Sequence, residues 1–287
     1  MRRYRLEHIT RYSYEKPVTT SYGRAHLKPA ASDGQACSST EIVIDPASSE
    51  TSDHVDYFGN ISTFFCVRRP HRILTVSARS EVTVDRPPPG SLGGGSWEDA
   101  RDELAAHPVV AEFTLPSPRI KPSVEVDEYA REIFTAARPV SDGIADLVHR
   151  IHADFTYKSG ATTVHTTPAE LLHTRKGVCQ DFAHLAVGCL RSLGLAARYV
   201  SGYIETTPRA GQPKLQGADA SHAWVSVFVP GSGWIDFDPT NNQFADDRYI
   251  VAAVGRDYGD VPPLKGVILT DSRKSTMQVS VDVHRLD

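Results

Sequence analysis

Three observations predict an α+β chain in two parts: an N-terminal all-β, sandwich-like domain, then helices packed on an antiparallel sheet or barrel. Apolar and polar residues alternate with period two over roughly the first ninety residues; a Pro/Gly stretch follows; a helical period then takes over before strands return past residue 195.

Tyr4, Leu6, His8, Thr10, Tyr12 and Tyr14 alternate with Arg3, Arg5, Glu7, Arg11 and Ser13, the signature of a half-buried strand. Ile42 and Ile44 repeat the theme before the Asp45-Pro46 turn, and Phe58-Gly59-Asn60, within 56–60, reads as a hairpin tip between two further strands. Leu74, Val76, Ala78, Val82 and Val84 then share one face, with Thr75, Arg79, Glu81, Thr83 and Asp85 on the other. The run Pro87-Pro88-Pro89-Gly90-Ser91-Leu92-Gly93-Gly94-Gly95 cannot bury apolar surface, and it carries neither GxGxxG nor GxxxxGK[ST], so it is a linker and not a phosphate loop. The organisation read from this is an N-terminal β domain at 1–86, a linker at 87–96 and a core at 97–287, with strand 277–285 free to pack on either domain.

Within the core, Val126, Tyr129, Ala130, Ile133, Phe134 and Ala137 follow a helical period, as do Ile144, Leu147, Val148 and Ile151; 97–106 adds a third helix. A longer helix over 179–193 carries Phe182, Ala186, Cys189, Leu190 and Leu193 on one face and stops at Gly194. Strands follow at 197–205, 220–229, 234–237 and 277–284.

The 287 residues suffice for one large domain or two ordinary ones, and 31 Lys plus Arg against 35 Asp plus Glu leave a net charge of −4. Such a balance offers no general attraction for nucleic acid or an anionic membrane, and no apolar run approaches the roughly 18 residues a bilayer span needs. Residues 1–16 place Arg, Glu and His where a signal peptide requires an apolar stretch, and the four cysteines form no CxxC pair. A cytoplasmic location with reduced thiols is therefore expected, and the glycosylation pattern Asn60-Ile61-Ser62 is read as accidental.

Cys179 falls in the first turn of its helix, where unpaired amides and the positive end of the dipole favour a thiolate. Cys189, ten residues on and on the apolar face, reads as structural. A nucleophilic thiol needs a base and a group that fixes the base's tautomer. Ser221-His222-Ala223-Trp224 offers the base, on a strand where His222 and Trp224 share the less aliphatic face, as a cleft wall would. The strand Gly233-Trp234-Ile235-Asp236-Phe237-Asp238 follows at hairpin distance, and Asp236 and Asp238 share one face, so periodicity leaves both open as the orienting carboxylate.

These residues resemble the transglutaminase-like superfamily of papain-related cysteine enzymes, in its bacterial two-domain form. The likeness lies in Gly177-Val178-Cys179-Gln180-Asp181-Phe182-Ala183-His184, in Arg198-Tyr199-Val200-Ser201-Gly202-Tyr203, in His222-Ala223-Trp224 and in Trp234-Ile235-Asp236-Phe237-Asp238-Pro239-Thr240. The run Gly255-Arg256-Asp257-Tyr258-Gly259-Asp260-Val261-Pro262-Pro263 and the opening strand resemble it too. The resemblance implies Cys179 as nucleophile, His222 as base and Asp238, directly before Pro-Thr, as orienter. It implies an oxyanion hole from the Cys179 backbone N–H and an upstream donor, for which Tyr157 is the candidate; Gln180 and Trp224 are further oxyanion or cleft candidates.

The implied activity is acyl transfer through a thioester on a peptide or protein substrate, with water as the expected acceptor and an amine as the transglutaminase alternative. A non-catalytic scaffold on the same fold is a third possibility. No cofactor is expected: no EF-hand-like loop is present, and Cys179, His184 and Cys189, stepping by five residues or roughly 500 degrees, fan around their helix instead of converging with His173 on a metal. Arg256, Asp257 and Tyr258 either border the cleft or form a surface ion pair. The oligomeric state and the role of the N-terminal domain stay open.

Overall fold

The structure is a computed structural model and describes residues 1–86, 95–206 and 221–287. The first region is built on one unusually long strand, β1 (Arg2–Lys28), joined by β2 (Gln35–Asp45), β3 (Glu50–Val55), β4 (Ile61–Val67) and β5 (His71–Val84). The sequence before Ser13 pairs with β5, and the part after Val18 pairs with β4, so β1 runs through both halves of a curled antiparallel sheet. The alternation read from the sequence holds, since Tyr4, Leu6, His8 and Thr10 all face inward and are buried. The hairpin tip is at 56–60, where the Asp56 carboxylate accepts the Phe58 and Asn60 amides at 2.9 Å each.

The linker at 87–94 lies outside the described residues. Its last two positions belong to the core: Gly95 accepts the Val140 amide at 3.1 Å, and Ser96 caps α1 (Trp97–Asp102) by accepting the Asp99 amide at 3.1 Å. A short 3-10 turn (Glu103–Ala106) extends α1 over the span expected for a third helix, and α2 (Pro108–Ala111) follows. Next come α3 (Val124–Arg131), α4 (Val140–Asp154), β6 (Thr156–Tyr157), α5 (Pro168–Thr174), β7 (Lys176–Gly177) and α6 (Cys179–Ser192). The helix expected to continue from Val126 to Ala137 ends at Arg131, and Ala137, at φ 56°, has left the helical region before Pro139.

Helix α6 is the spine of the core. Its residues from Asp181 to Arg191 are buried between the other helices and a second sheet. Gly194, at φ +81°, ends it in the left-handed conformation that only glycine adopts freely, and the Leu195 amide returns to Leu190 at 3.0 Å. The second sheet is antiparallel and comprises β8 (Ala197–Ile204), β9 (Ser221–Val229), β10 (Gly233–Asp238), β11 (Gln243–Phe244) and β12 (Tyr249–Gly255), in the spatial order β11-β10-β9-β8-β12.

The chain then returns to where it began. Strands β13 (Leu264–Thr270) and β14 (Ser275–Arg285) both pair antiparallel with β1, so 264–285 joins the N-terminal sheet; for 277–285 this is one of the two packings the sequence left open, whereas 264–270 lies within the span drawn as core. Tyr4, Leu6, Val82, Val84, Val281 and Val283 of that sheet share one apolar cluster with Tyr203, Ile250 and Ala252 of the core. Burying that cluster joins the two regions by the hydrophobic effect.

Candidate active site

Cys179 is the first residue of α6, partly exposed, packed against the apolar core. The helix start is fixed by Asp181, whose carboxylate accepts the Val178 amide at 2.8 Å and the Thr162 hydroxyl at 2.6 Å. Burial pushes the Asp181 carboxyl up, and these two donors oppose it. The first amides of a helix have no intrahelical acceptor, which leaves N–H groups at the sulfur's end of α6 for a ligand oxygen.

His222 stands on the second residue of β9, directly opposite Gly202 of β8. Its Nε2 lies 2.6 Å from Asp238 Oδ2 at the end of β10, and Cys179 is close enough to act on the imidazole as well. Burial alone would lower the imidazole pKa; the bonds to Asp238 and Cys179 and their charges outweigh it and raise it to about 10. Asp238 is itself wholly buried. Burial would raise its carboxyl, but its donors hold it below the ordinary range: His222, the Asn241 side chain at 2.6 Å and the Tyr249 hydroxyl at 2.8 Å on Oδ2. Oδ1 takes the Thr240 amide at 2.8 Å and the Asn241 amide at 3.3 Å.

The two aspartates left open by periodicity have separate partners. Asp236 accepts the Trp224 indole N–H at 3.1 Å and faces Arg86 at 3.6 Å, with no bond to His222. Trp224 is thereby corrected: it is fully buried and its one donor is taken, so it neither lines an open cleft nor serves an oxyanion. It instead lies under His222 with ring centroids 6.1 Å apart and planes at 29°. Tyr157 is 55% exposed beside Phe182. Its hydroxyl is raised by burial and then by the charge of Cys179, which puts it in the sulfur's neighbourhood. Gln180, next along α6, is half-buried.

The remaining candidates have partners of their own. Asp257 is buried, accepting the Arg119 and Gly259 amides at 2.9 and 2.7 Å, while Arg256 pairs with Asp260 at 2.9 Å. His184 accepts the Tyr258 amide at 3.1 Å, and Cys189 is buried. Among the described residues, no three His, Cys, Asp or Glu side chains converge as a metal would require, and no helix is long and apolar enough to cross a membrane. Sequence reasoning missed Asn241, Tyr249 and Thr162. Asn241 follows Asp238 by three residues and could have been suspected as a turn donor; Tyr249 opens the all-apolar strand β12 and carries no such signal.

Two family models match the chain: a bacterial transglutaminase-like N-terminal region over residues 4–83 and the transglutaminase-like superfamily core over 127–239. An uncharacterized protein of Mycobacterium tuberculosis is 47% identical over 289 residues, covering 98% of this chain and 92% of its own. The chain belongs to the transglutaminase-like superfamily. An uncharacterized protein of Mycobacterium leprae is 34% identical with full coverage of both chains. Over a shorter stretch, 37% of this chain and 16% of the relative, a protein-glutamine gamma-glutamyltransferase of Pseudomonas aeruginosa is 36% identical. The fold is shared with a Cytophaga hutchinsonii protein provisionally named a cysteine protease, at a TM-score of 0.79 and 18% identity, over 100% of this chain and 91% of that one. Transglutaminase-like membership supports a cysteine-based enzyme in general terms.

Proposed function

We propose that Cys179, His222 and Asp238 are nucleophile, base and orienter of an acyl-transfer enzyme that hydrolyses a peptide or isopeptide bond. The observation that carries the reading is the His222 imidazole bonded to the Asp238 carboxylate at 2.6 Å and raised by both Asp238 and Cys179. In that arrangement the thiol gives its proton to the imidazole as the sulfur attacks the amide carbon. The carbonyl oxygen becomes an oxyanion at the start of α6, where the Cys179 N–H donates to it; Tyr157 is the candidate for a second donor. The C–N bond breaks as the imidazolium gives its proton to the leaving amine. Water, deprotonated by the neutral imidazole, then cleaves the thioester and restores the thiol.

A second reading, with a primary amine in place of water, is favoured by the likeness to the Pseudomonas aeruginosa gamma-glutamyltransferase. One experiment tests both: acid-quench the protein against a peptide library and look by mass spectrometry for an acyl adduct on Cys179, with and without a fluorescent primary amine. An adduct that discharges to free acid in both arms supports hydrolysis, and transfer to the amine supports the second reading. A Cys179 that never carries an adduct, or a Cys179→Ala variant that turns substrate over as fast, ends both.

A further inference from the structure

The donors on Asp238 come from two places. Asn241 and the Thr240 and Asn241 amides belong to the turn that follows β10, but Tyr249 belongs to β12, the last strand of the sheet, paired on one edge only with β8. The other edge of β12 is closed by two buried side-chain amides from the N-terminal region. Gln35 accepts the Val251 N–H at 2.8 Å and donates to the Val251 carbonyl at 2.9 Å; Asn60 does the same for Val254, at 2.8 Å each. Each amide therefore imitates one residue of a neighbouring strand. The bulge between Val251 and Ala253 explains why positions three apart both face outward. Arg248 donates to Gln243 at 3.0 Å, and Gln243 donates to the Tyr249 hydroxyl at 2.6 Å, so that this oxygen's own proton is directed at Asp238.

We propose that Tyr249 is a positioning residue that holds Asp238 on His222, and that the N-terminal sheet acts on the site through it by completing the edge of β12 with Gln35 and Asn60. The proposal rests on Cys179, His222 and Asp238 working as one unit. Burial and the Asp238 charge both raise the Tyr249 hydroxyl, so it remains a donor throughout the working range. Its ring packs against Trp224 with centroids 5.2 Å apart, which Phe preserves.

The test is the rate of Cys179 alkylation by iodoacetamide at neutral pH, localised by mass spectrometry on the full chain, with melting temperature as a fold control. Tyr249→Phe should slow it about tenfold, the rate equivalent of one hydrogen bond to a charged group. In an Asp238→Asn background the same change should cost less than about twofold, because a residue acting through another has nothing left to act on. Gln35→Leu should slow the reaction in the wild-type background and add nothing to Tyr249→Phe. Equal slowing in both Asp238 backgrounds, or none, overturns the proposal. If His222→Ala and Asp238→Asn themselves leave the rate untouched, the acyl-transfer reading fails and takes the proposal with it.

Discussion

Asp238→Asn against Asp236→Asn is the sharpest comparison the site offers, because the two carboxylates are two residues apart on one strand and face the same way. Moving an imidazole pKa from 6.5 to about 10 favours the imidazolium by about 5 kcal/mol, and the bond to Asp238 is its largest favourable contribution. His222 is only 9% exposed, so solvent screens little of it. Asparagine keeps the shape but has one acceptor oxygen for five donors. With its oxygen toward His222, its NH2 meets the Thr240 and Asn241 amides, donor against donor. Turned the other way, its NH2 forces His222 to present a bare Nε2, leaving the proton on the nitrogen that faces the sulfur, where it cannot accept the thiol proton. The expected loss in acylation rate is about a thousandfold or more. Asp236→Asn still accepts from Trp224 and gives up its charge interactions with Arg86 and Arg198, neither of which touches His222, so less than about tenfold is expected. The assay is the p-nitrophenolate burst from p-nitrophenyl acetate, which needs no knowledge of the natural substrate. A burst that falls as far in Asp236→Asn as in Asp238→Asn refutes the assignment.

Among the four thiols, Cys179 should alkylate first: Cys66 and Cys189 are buried, burial pushes the Cys189 thiol up, and Cys37 is raised likewise. Peptide mapping after limited labelling checks this, and equal labelling contradicts an activated Cys179. His8 and His184 are buried and burial lowers both to about 4, so the unfolded chain binds more protons than the folded one between pH 6.5 and 4. Melting temperature should therefore fall as pH drops through that window, and His8→Gln should flatten the fall. His222 works oppositely, its stabilisation being complete below pH 6.5 and lost as pH rises through about 10. Gly202→Ala should cost several kcal/mol, about 3 or more, because its Cβ would sit 2.1 Å from the Ile250 carbonyl oxygen and 2.5 Å from the Trp224 ring; wild-type denaturant stability in that variant contradicts the packing.

The parts of the site legible in the sequence are those where a local rule acts alone. Helix α6 announced itself by period and by Gly194, and β9 and β10 by alternation at hairpin distance. Periodicity failed where two answers share a face. Asp236 and Asp238 point the same way, and only the turn after β10 and the far strand β12 distinguish them by supplying donors to one. Parity also put Trp224 beside His222 correctly but could not say that this face is covered, since burial depends on residues 245–249 folding over it. Helix α5 was missed although Thr167 and Glu170 form a capping box, because seven residues are too few to show a period. Strand β12 was missed for the opposite reason: Tyr249-Ile250-Val251-Ala252-Ala253-Val254 is apolar throughout, and an unbroken apolar run has no alternation to detect.

The division at residue 86 was drawn from composition, and composition does not see pairing. Once β13 and β14 are on β1, the N-terminal sheet is assembled from both sides of the core, and its apolar face closes over Tyr203 and Ile250. The core then lacks a finished surface of its own along β12, where Gln35 and Asn60 supply what a neighbouring strand would. Ion pairs join the two regions at the same end: Arg2 meets Glu205 at 3.0 Å and Asp247 at 3.0 Å, and the Tyr4 hydroxyl donates to Glu205 at 2.9 Å. Glu205 follows β8 and Asp247 precedes β12, so the fastening brackets the strand ends that carry Gly202, opposite His222, and Tyr249, against Asp238. A nucleophile on a rigid helix needs its base held to a fraction of an ångström. Here the helix that carries Cys179 is fixed by its own core, whereas His222 and Asp238 are fixed by a sheet whose outer edge the N-terminal region completes.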